Sequence, residues 1–211
     1  MLGDQSAGQR SVPAYHFRVI TIVSGLPRSG TSLMMQMLAG GGIEAVTDGR
    51  RVADPDNPRG YFEDDRVKRL KTNHAWLGEA QGKAVKIVHI LLRDLPTNGF
   101  EYRVIWMQRR MSEVLASQRA MLTRQGKAGA ALNEAKLGGV FAAQMAEVEK
   151  WLAAQAAFRV LPVNYHELIA DPSGHAAKIC EFLGGSLDEA AMAQAVDASL
   201  YRQRSEGERP V

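Results

Sequence analysis

A three-layer α/β/α fold built on a central parallel sheet is expected from three features of this 211-residue chain. Short β-branched runs alternate with segments of helical apolar spacing along the sequence. The first of these runs passes through a glycine-rich turn into a helix, the strand-loop-helix arrangement of a phosphate loop. No internal repeat, low-complexity tract or linker divides the remainder. Residues 1–16 read as a disordered N-terminal segment and residues 17–211 as a single domain.

The elements follow in order. Arg18-Val-Ile-Thr-Ile-Val-Ser24 is apolar on both faces, which suits a central parallel strand. Leu33, Met34, Met37 and Leu38 recur at helical spacing, and Gly40-Gly-Gly42 ends that helix because glycine carries the largest backbone entropy cost. Residues 43–46 form a candidate second strand, and the prolines and glycine of Asp54-Pro-Asp-Asn-Pro-Arg-Gly60 make a surface loop. Val67, Leu70, His74 and Leu77 mark a helix face; residues 84–90 and 103–107 read as buried strands. Val114, Leu115, Met121 and Leu122 lie on one helix and Phe141, Met145, Val148 and Leu152 on the next, with residues 126–129 breaking the two. A fourth strand over 158–163 and helices over 172–183 and 187–196 complete the chain.

Composition narrows the function classes. Net charge is +3 without runs of like charge, which fits a small anionic ligand and argues against a nucleic-acid partner. No apolar run approaches the roughly 18 residues of a membrane span, so a cytoplasmic enzyme is the expectation. Cys180 is the single cysteine; it can form neither an internal disulfide nor a cysteine metal cage, and packing is its expected role.

Chemistry concentrates in Ser24-Gly-Leu-Pro-Arg-Ser-Gly-Thr-Ser32, where backbone N–H groups and a helix start converge on an anion. Four residues separate Gly25 from Gly30, as in a nucleoside-triphosphatase loop, but Thr31 stands where that loop has lysine. Arg28 replaces the charge with a planar fork suited to paired anion oxygens, and Ser29, Thr31 and Ser32 add hydroxyls around Gly30. No metal is obligatory in such a site. A second segment, Val104 to Ser117, places Arg109 at a strand end and Ser117 two turns into the following helix, where both can aim at one phosphate.

These motifs resemble the sulfotransferases that use 3′-phosphoadenosine 5′-phosphosulfate (PAPS), whose 5′-phosphosulfate loop has the form Pro-Arg/Lys-Ser-Gly-Thr-Ser/Thr. The resemblance implies a sulfuryl transfer to a hydroxyl or amine of a small-molecule, carbohydrate or lipid acceptor, releasing the bisphosphate PAP. It assigns Arg28, Ser29, Gly30, Thr31 and Ser32 to the 5′-phosphosulfate. The eight-residue spacing of Arg109 and Ser117 is that of the family's 3′-phosphate pair, although Arg109-Arg110-Met111 stands in place of the usual Arg-Asp-Pro and leaves Arg110 as the other candidate. Val160 to Gly184 is similar to a later family segment, and puts Tyr165 either beside the adenine or in the core. Arg202 and Arg204 lie where the family has a basic C-terminal loop.

Two groups compete for the role of base. Pro58-Arg-Gly-Tyr-Phe-Glu63 resembles the acidic segment of carbohydrate sulfotransferases and offers Glu63, which could equally cap the next helix. Lys86-Ile-Val-His89 is similar to the Lys-Thr-His segment of cytosolic sulfotransferases, but His89 comes one residue late, and on a strand that reverses its facing. Arg28 is expected to steady the leaving phosphate. From the residues alone, a P-loop kinase using ATP and magnesium, or a nucleotide-binding module without catalysis, also stays open.

Overall fold

The computed structural model describes residues 19–126 and 133–203. The expectations for residues 1–16, for the break at 127–129 and for Arg204 lie outside the described residues. Four parallel strands form one sheet in the order β2-β1-β3-β4, with β1 Val19–Gly25, β2 Ala84–Lys86, β3 Glu101–Gln108 and β4 Phe158–Asn164. The helices are α1 Thr31–Gly40, α2 Met111–Arg124, α3 Glu134–Ala153, α4 Tyr165–Ala170, α5 Pro172–Leu183 and α6 Glu189–Gln194.

Strand alternation divides the core into two layers. Ile20, Ile22, Tyr102, Val104 and Trp106 project to one side, where they meet Val148 and Leu152 of α3 and the short turns around Val67 and Leu77. Val23, Ile105, Met107 and Val163 project to the other side, against Met34, Met37 and Leu38 of α1, Ile179 of α5 and Met192 of α6. The three-layer expectation holds. Pro162 sits within β4, whose outer edge is unpaired among the described residues; its missing N–H blunts that edge.

Three expected elements come out differently. Residues 43–46 form a single bridge, Ala45 to Ala84, beside β2 instead of a strand. The helix expected through Val67 to Leu77 is two 3₁₀ turns, Asp65–Arg69 and Ala75–Ala80. Asp64 caps the first turn by accepting from the Arg66 N–H, while the Asn73 side chain accepts from the Ala75 N–H at the junction and competes there with a continuous helix. β2 stops at Lys86, the last residue in register with β1, and the chain turns into a 3₁₀ segment at His89–Asp94. Helix α4 was not foreseen; Asn164 caps it by accepting from the His166 and Glu167 N–H groups.

The sheet depends on side chains such as Ile22, which is fully buried between β2 and β3. Ile22→Ala is expected to lower the unfolding free energy by about 2–5 kcal/mol, measured by urea titration.

Candidate active site

Strand order places the site. The chain leaves β1 for β2 on one side of it, while β3 lies on the other, so the carboxyl ends of β1 and β3 flank a point where connections diverge. Parallel register sets Gly25 beside Met107. The loop after β1 and the segment after β3 therefore emerge side by side.

The loop after β1 turns on unusual backbone. Arg28 adopts φ +74° and Gly30 φ +99°, and Gly30 precedes α1 with no side-chain cap and no acidic residue in the helix's first turn. Four N–H groups at a helix start have no intrahelical acceptor, and this end carries partial positive charge. Only glycine fits at position 30, since an added Cβ would stand 2.3 Å from the Tyr165 ring. Glycine is needed at 25 as well, where a Cβ would meet the Met107 carbonyl at 2.5 Å.

A cleft of about 260 Å³ opens over this helix start. Six cationic side chains line it (Arg28, Arg51, Lys86, Arg109, Arg124 and Arg202) against three acidic ones (Asp56, Glu63 and Asp197), so an anion is favoured inside. Arg28 Nε donates to Ser117 Oγ at 3.0 Å, which joins the two sequence motifs directly. Burial pulls the Arg28 guanidinium below its usual value, opposed by the nearby Asp56.

Arg109 is the most heavily engaged of these groups. It donates from Nη1 to the Arg28 carbonyl at 3.1 Å, from Nη2 to the Gln203 carbonyl at 2.9 Å, and from Nε to Glu113 Oε2 at 2.9 Å. Its guanidinium lies 4.5 Å from the Tyr165 ring centroid, within cation–π range. Glu113 is buried and accepts the Tyr201 hydroxyl at 2.6 Å; burial and that bond push Tyr201 up to about 12. A buried Arg109–Glu113 pair is costly to break from one side, because the remaining charge has no solvent to turn to. Phosphate loop, α2 and the segment at 201–203 are thus fastened together.

A second polar strip runs along the opposite wall. Lys86 Nζ donates to Ser32 Oγ at 3.3 Å, to Glu63 Oε1 at 3.3 Å, and to the Tyr61 carbonyl. Burial pulls the Lys86 ammonium below its usual value, with Glu63 opposing. Glu63 also accepts from Arg51 at 3.1 Å, and the Arg51 guanidinium covers the Tyr61 ring. Tyr61 is held neutral, pushed up to about 12 by burial and by its bond to Asp54.

Of the residues singled out from sequence, Arg28, Gly30, Ser32, Glu63, Arg109, Ser117 and Tyr165 line the cleft. Ser29 and Thr31 do not; Ser29 is buried, its Oγ close under Gly25. His89 is also outside the cleft. It is buried against α3 with Nε2 3.1 Å from Gln144 Oε1, and desolvation pulls its imidazole below the usual value. Strand parity turns Lys86 into the cleft, since Ala84 packs in the layer of α1 and Val85 and Ile87 in the opposite layer. His89 lies past the end of β2, where a 3₁₀ segment begins, and packs toward α3. Lys86, Arg51, Arg124, Asp56 and Glu113 were not singled out; the same parity rule would have found Lys86 and the i,i+4 spacing from Arg109 would have found Glu113, whereas Arg51, Arg124 and Asp56 depend on long-range folding.

A parallel sheet, an uncapped helix start and a cationic cleft at the strand ends define a phosphate-loop α/β protein that binds an anionic ligand. A model of the sulfotransferase family matches residues 65–189, more than half of the sequence, and the chain belongs to that family. It is a sulfotransferase, which sets aside the kinase reading. Solved structures repeat the fold at low identity. The sulfotransferase domain of a Synechococcus olefin synthase is 17% identical with a TM-score of 0.54, over 96% of this chain and 94% of that one. A sulfotransferase domain from the curacin biosynthetic pathway is 13% identical at 0.51, over 92% and 93%. A Mycobacterium tuberculosis sulfotransferase is 16% identical at 0.53, over 91% and 77%. No curated protein matches the sequence.

Gly30 and Gly42 share φ +99°, but only the Gly30 Cβ would strike another group. Gly42→Ala is expected to cost about 1–3 kcal/mol from backbone strain and Gly30→Ala measurably more, compared by urea unfolding.

Proposed function

We propose that this sulfotransferase draws its sulfuryl group from PAPS, releases PAP, and passes the group to a hydroxyl or amine of a small-molecule, carbohydrate or lipid acceptor. One observation carries the reading: the Arg28–Ser117 hydrogen bond, which puts the loop at the α1 start and the serine of α2 within one side chain's length. A nucleotide with phosphates at both ends of its ribose needs two anion sites at that kind of separation. The donor set fits such a ligand, since Gly25 and Gly30 leave no room for side chains beneath it and the helix start is uncapped.

In this reading Arg28, Gly30 and Ser32, with the loop N–H groups of Ser29 and Thr31, hold the 5′-phosphosulfate. Ser117 and Arg109 hold the 3′-phosphate, and Tyr165 borders the adenine while closing the floor over Gly30. Transfer breaks the bond between sulfur and the bridging phosphate oxygen and forms one from sulfur to the acceptor atom. Arg28 and the α1 start take up the charge left on the phosphate. Glu63 receives the acceptor's proton, and Lys86 binds Ser32 and Glu63 at once, fixing base and donor site relative to each other. The chemistry asks nothing of a metal. Residues 17–211 act as one domain, with the cytoplasm as the setting; no helix among the described residues is long and apolar enough to cross a membrane.

Incubation with PAPS and a panel of hydroxyl and amine acceptors tests this, with PAP release as the readout. Glu63→Gln is expected to lower kcat by about 10²–10⁴-fold while leaving PAP affinity near wild type; unchanged kcat removes Glu63 from the role. Turnover is also expected to fall at high pH. Burial brings Lys86 below its ordinary 10.5, so rising pH strips its proton, and its bonds to Glu63 and Ser32 weaken, within the alkaline range. Lys86→Arg is expected to move that alkaline limb upward; a limb that stays in place belongs to another group.

A further inference from the structure

The loop between Asp54 and Tyr61 occupies the cationic side of the cleft in a specific way. Its Asp56 carboxylate, with a side chain only 5% exposed, pairs with Arg124 at the end of α2. The Asp56 carbonyl accepts from Arg28 Nη2 at 3.2 Å, and the Pro55 carbonyl from Arg202 Nη1 at 2.7 Å. Three guanidinium groups of the cleft are therefore directed at two consecutive residues. Those residues are held in place from behind: Asp54 Oδ1 accepts the N–H groups of Asp56 at 2.8 Å and Asn57 at 3.0 Å, and the Asp54 carboxylate accepts the Tyr61 hydroxyl at 2.7 Å. Two carbonyl oxygens and a carboxylate gathered among guanidiniums form the kind of oxygen array that a phosphate would present.

Arg124 follows Ser117 by seven residues, two helical turns, so both lie on one face of α2. That face, including Ala120 and Met121 between them, lines the cleft. We propose that Arg124 is a further phosphate ligand at the Ser117 end of the donor site, and that the Asp56 carboxylate is its partner until the nucleotide arrives. The inference rests on the PAPS reading above. A 3′-phosphate brings close to two negative charges at neutral pH where Asp56 brings one, so exchange of partners is favoured once the nucleotide is anchored at its 5′ end. Specificity follows as well. A nucleotide lacking the 3′-phosphate has nothing to offer Arg124 in return for Asp56.

Titration calorimetry with PAP and with adenosine 5′-monophosphate separates the possibilities. Arg124→Gln is expected to weaken PAP by about tenfold and to leave the monophosphate within about twofold. Asp56→Asn removes the competing charge, and is expected to tighten PAP by about threefold or more with no gain for the monophosphate and none in the Asp56→Asn/Arg124→Gln double variant. Arg124→Gln decides the matter alone should Asp56→Asn fail to fold. Unchanged PAP affinity in Arg124→Gln, equal losses for both nucleotides, or a gain that persists without Arg124 overturns the proposal and leaves Arg124–Asp56 a structural ion pair. Wild-type protein that binds neither nucleotide contradicts the donor reading itself, and Arg124's role falls with it.

Discussion

Parallel hydrogen bonding between β1 and β3 fixes where everything functional can be. Because the two strands end level, with Gly25 beside Met107, the chain after each emerges into the same space. The helix that follows β1 then presents its uncapped start, and the helix that follows β3 presents Ser117 and Arg124. Arg109 completes the arrangement from the end of β3, reaching the Arg28 carbonyl, Glu113 and the Gln203 carbonyl with one guanidinium. A shift of register would separate these donors from their acceptors and dissolve the cleft.

Crowding six cations into one cleft is unfavourable unless anions are interspersed; besides Asp197, which pairs with Arg59, three carboxylates counter them. Glu113 neutralises Arg109 from beneath, out of a ligand's reach. Glu63 sits between Arg51 and Lys86 on one wall, and Asp56 faces Arg124 and Arg28 across the opening. Only the first is buried with its partner to below a tenth exposure. The other two line the cleft itself, each paired with at least one partly exposed cation.

Much of this was legible in the sequence because it depends on short-range rules. The β-branched run before Gly25, the glycine-bounded turn and the apolar spacing of Met34, Met37 and Leu38 specify strand, loop and helix locally. Arg109 and Ser117 were marked by a spacing that resembles the family's, and both line the cleft, where Ser117 accepts from Arg28. His89 shows the limit. A motif match offered it as a base, but β2 lasts only to Lys86, whose parity faces the cleft, and the 3₁₀ segment that follows carries His89 against α3. Apolar spacing over 67–77 predicts a helix where the chain makes two 3₁₀ turns, since that spacing does not register the competition from Asn73 at the junction. Asp56 gave no local signal, because its partners Arg28 and Arg124 are brought in by tertiary folding, whereas Glu113 stands four residues after Arg109 and only its Tyr201 partner is distant in sequence.

A crystal structure with adenosine 3′,5′-bisphosphate bound is the most direct test of the shared cleft. The expected result is one nucleotide with its 5′-phosphate against the first turn of α1 and its 3′-phosphate within hydrogen-bonding distance of Ser117. Density for the bisphosphate elsewhere, or a nucleotide that touches the α1 start while its 3′-phosphate points away from α2, would contradict it.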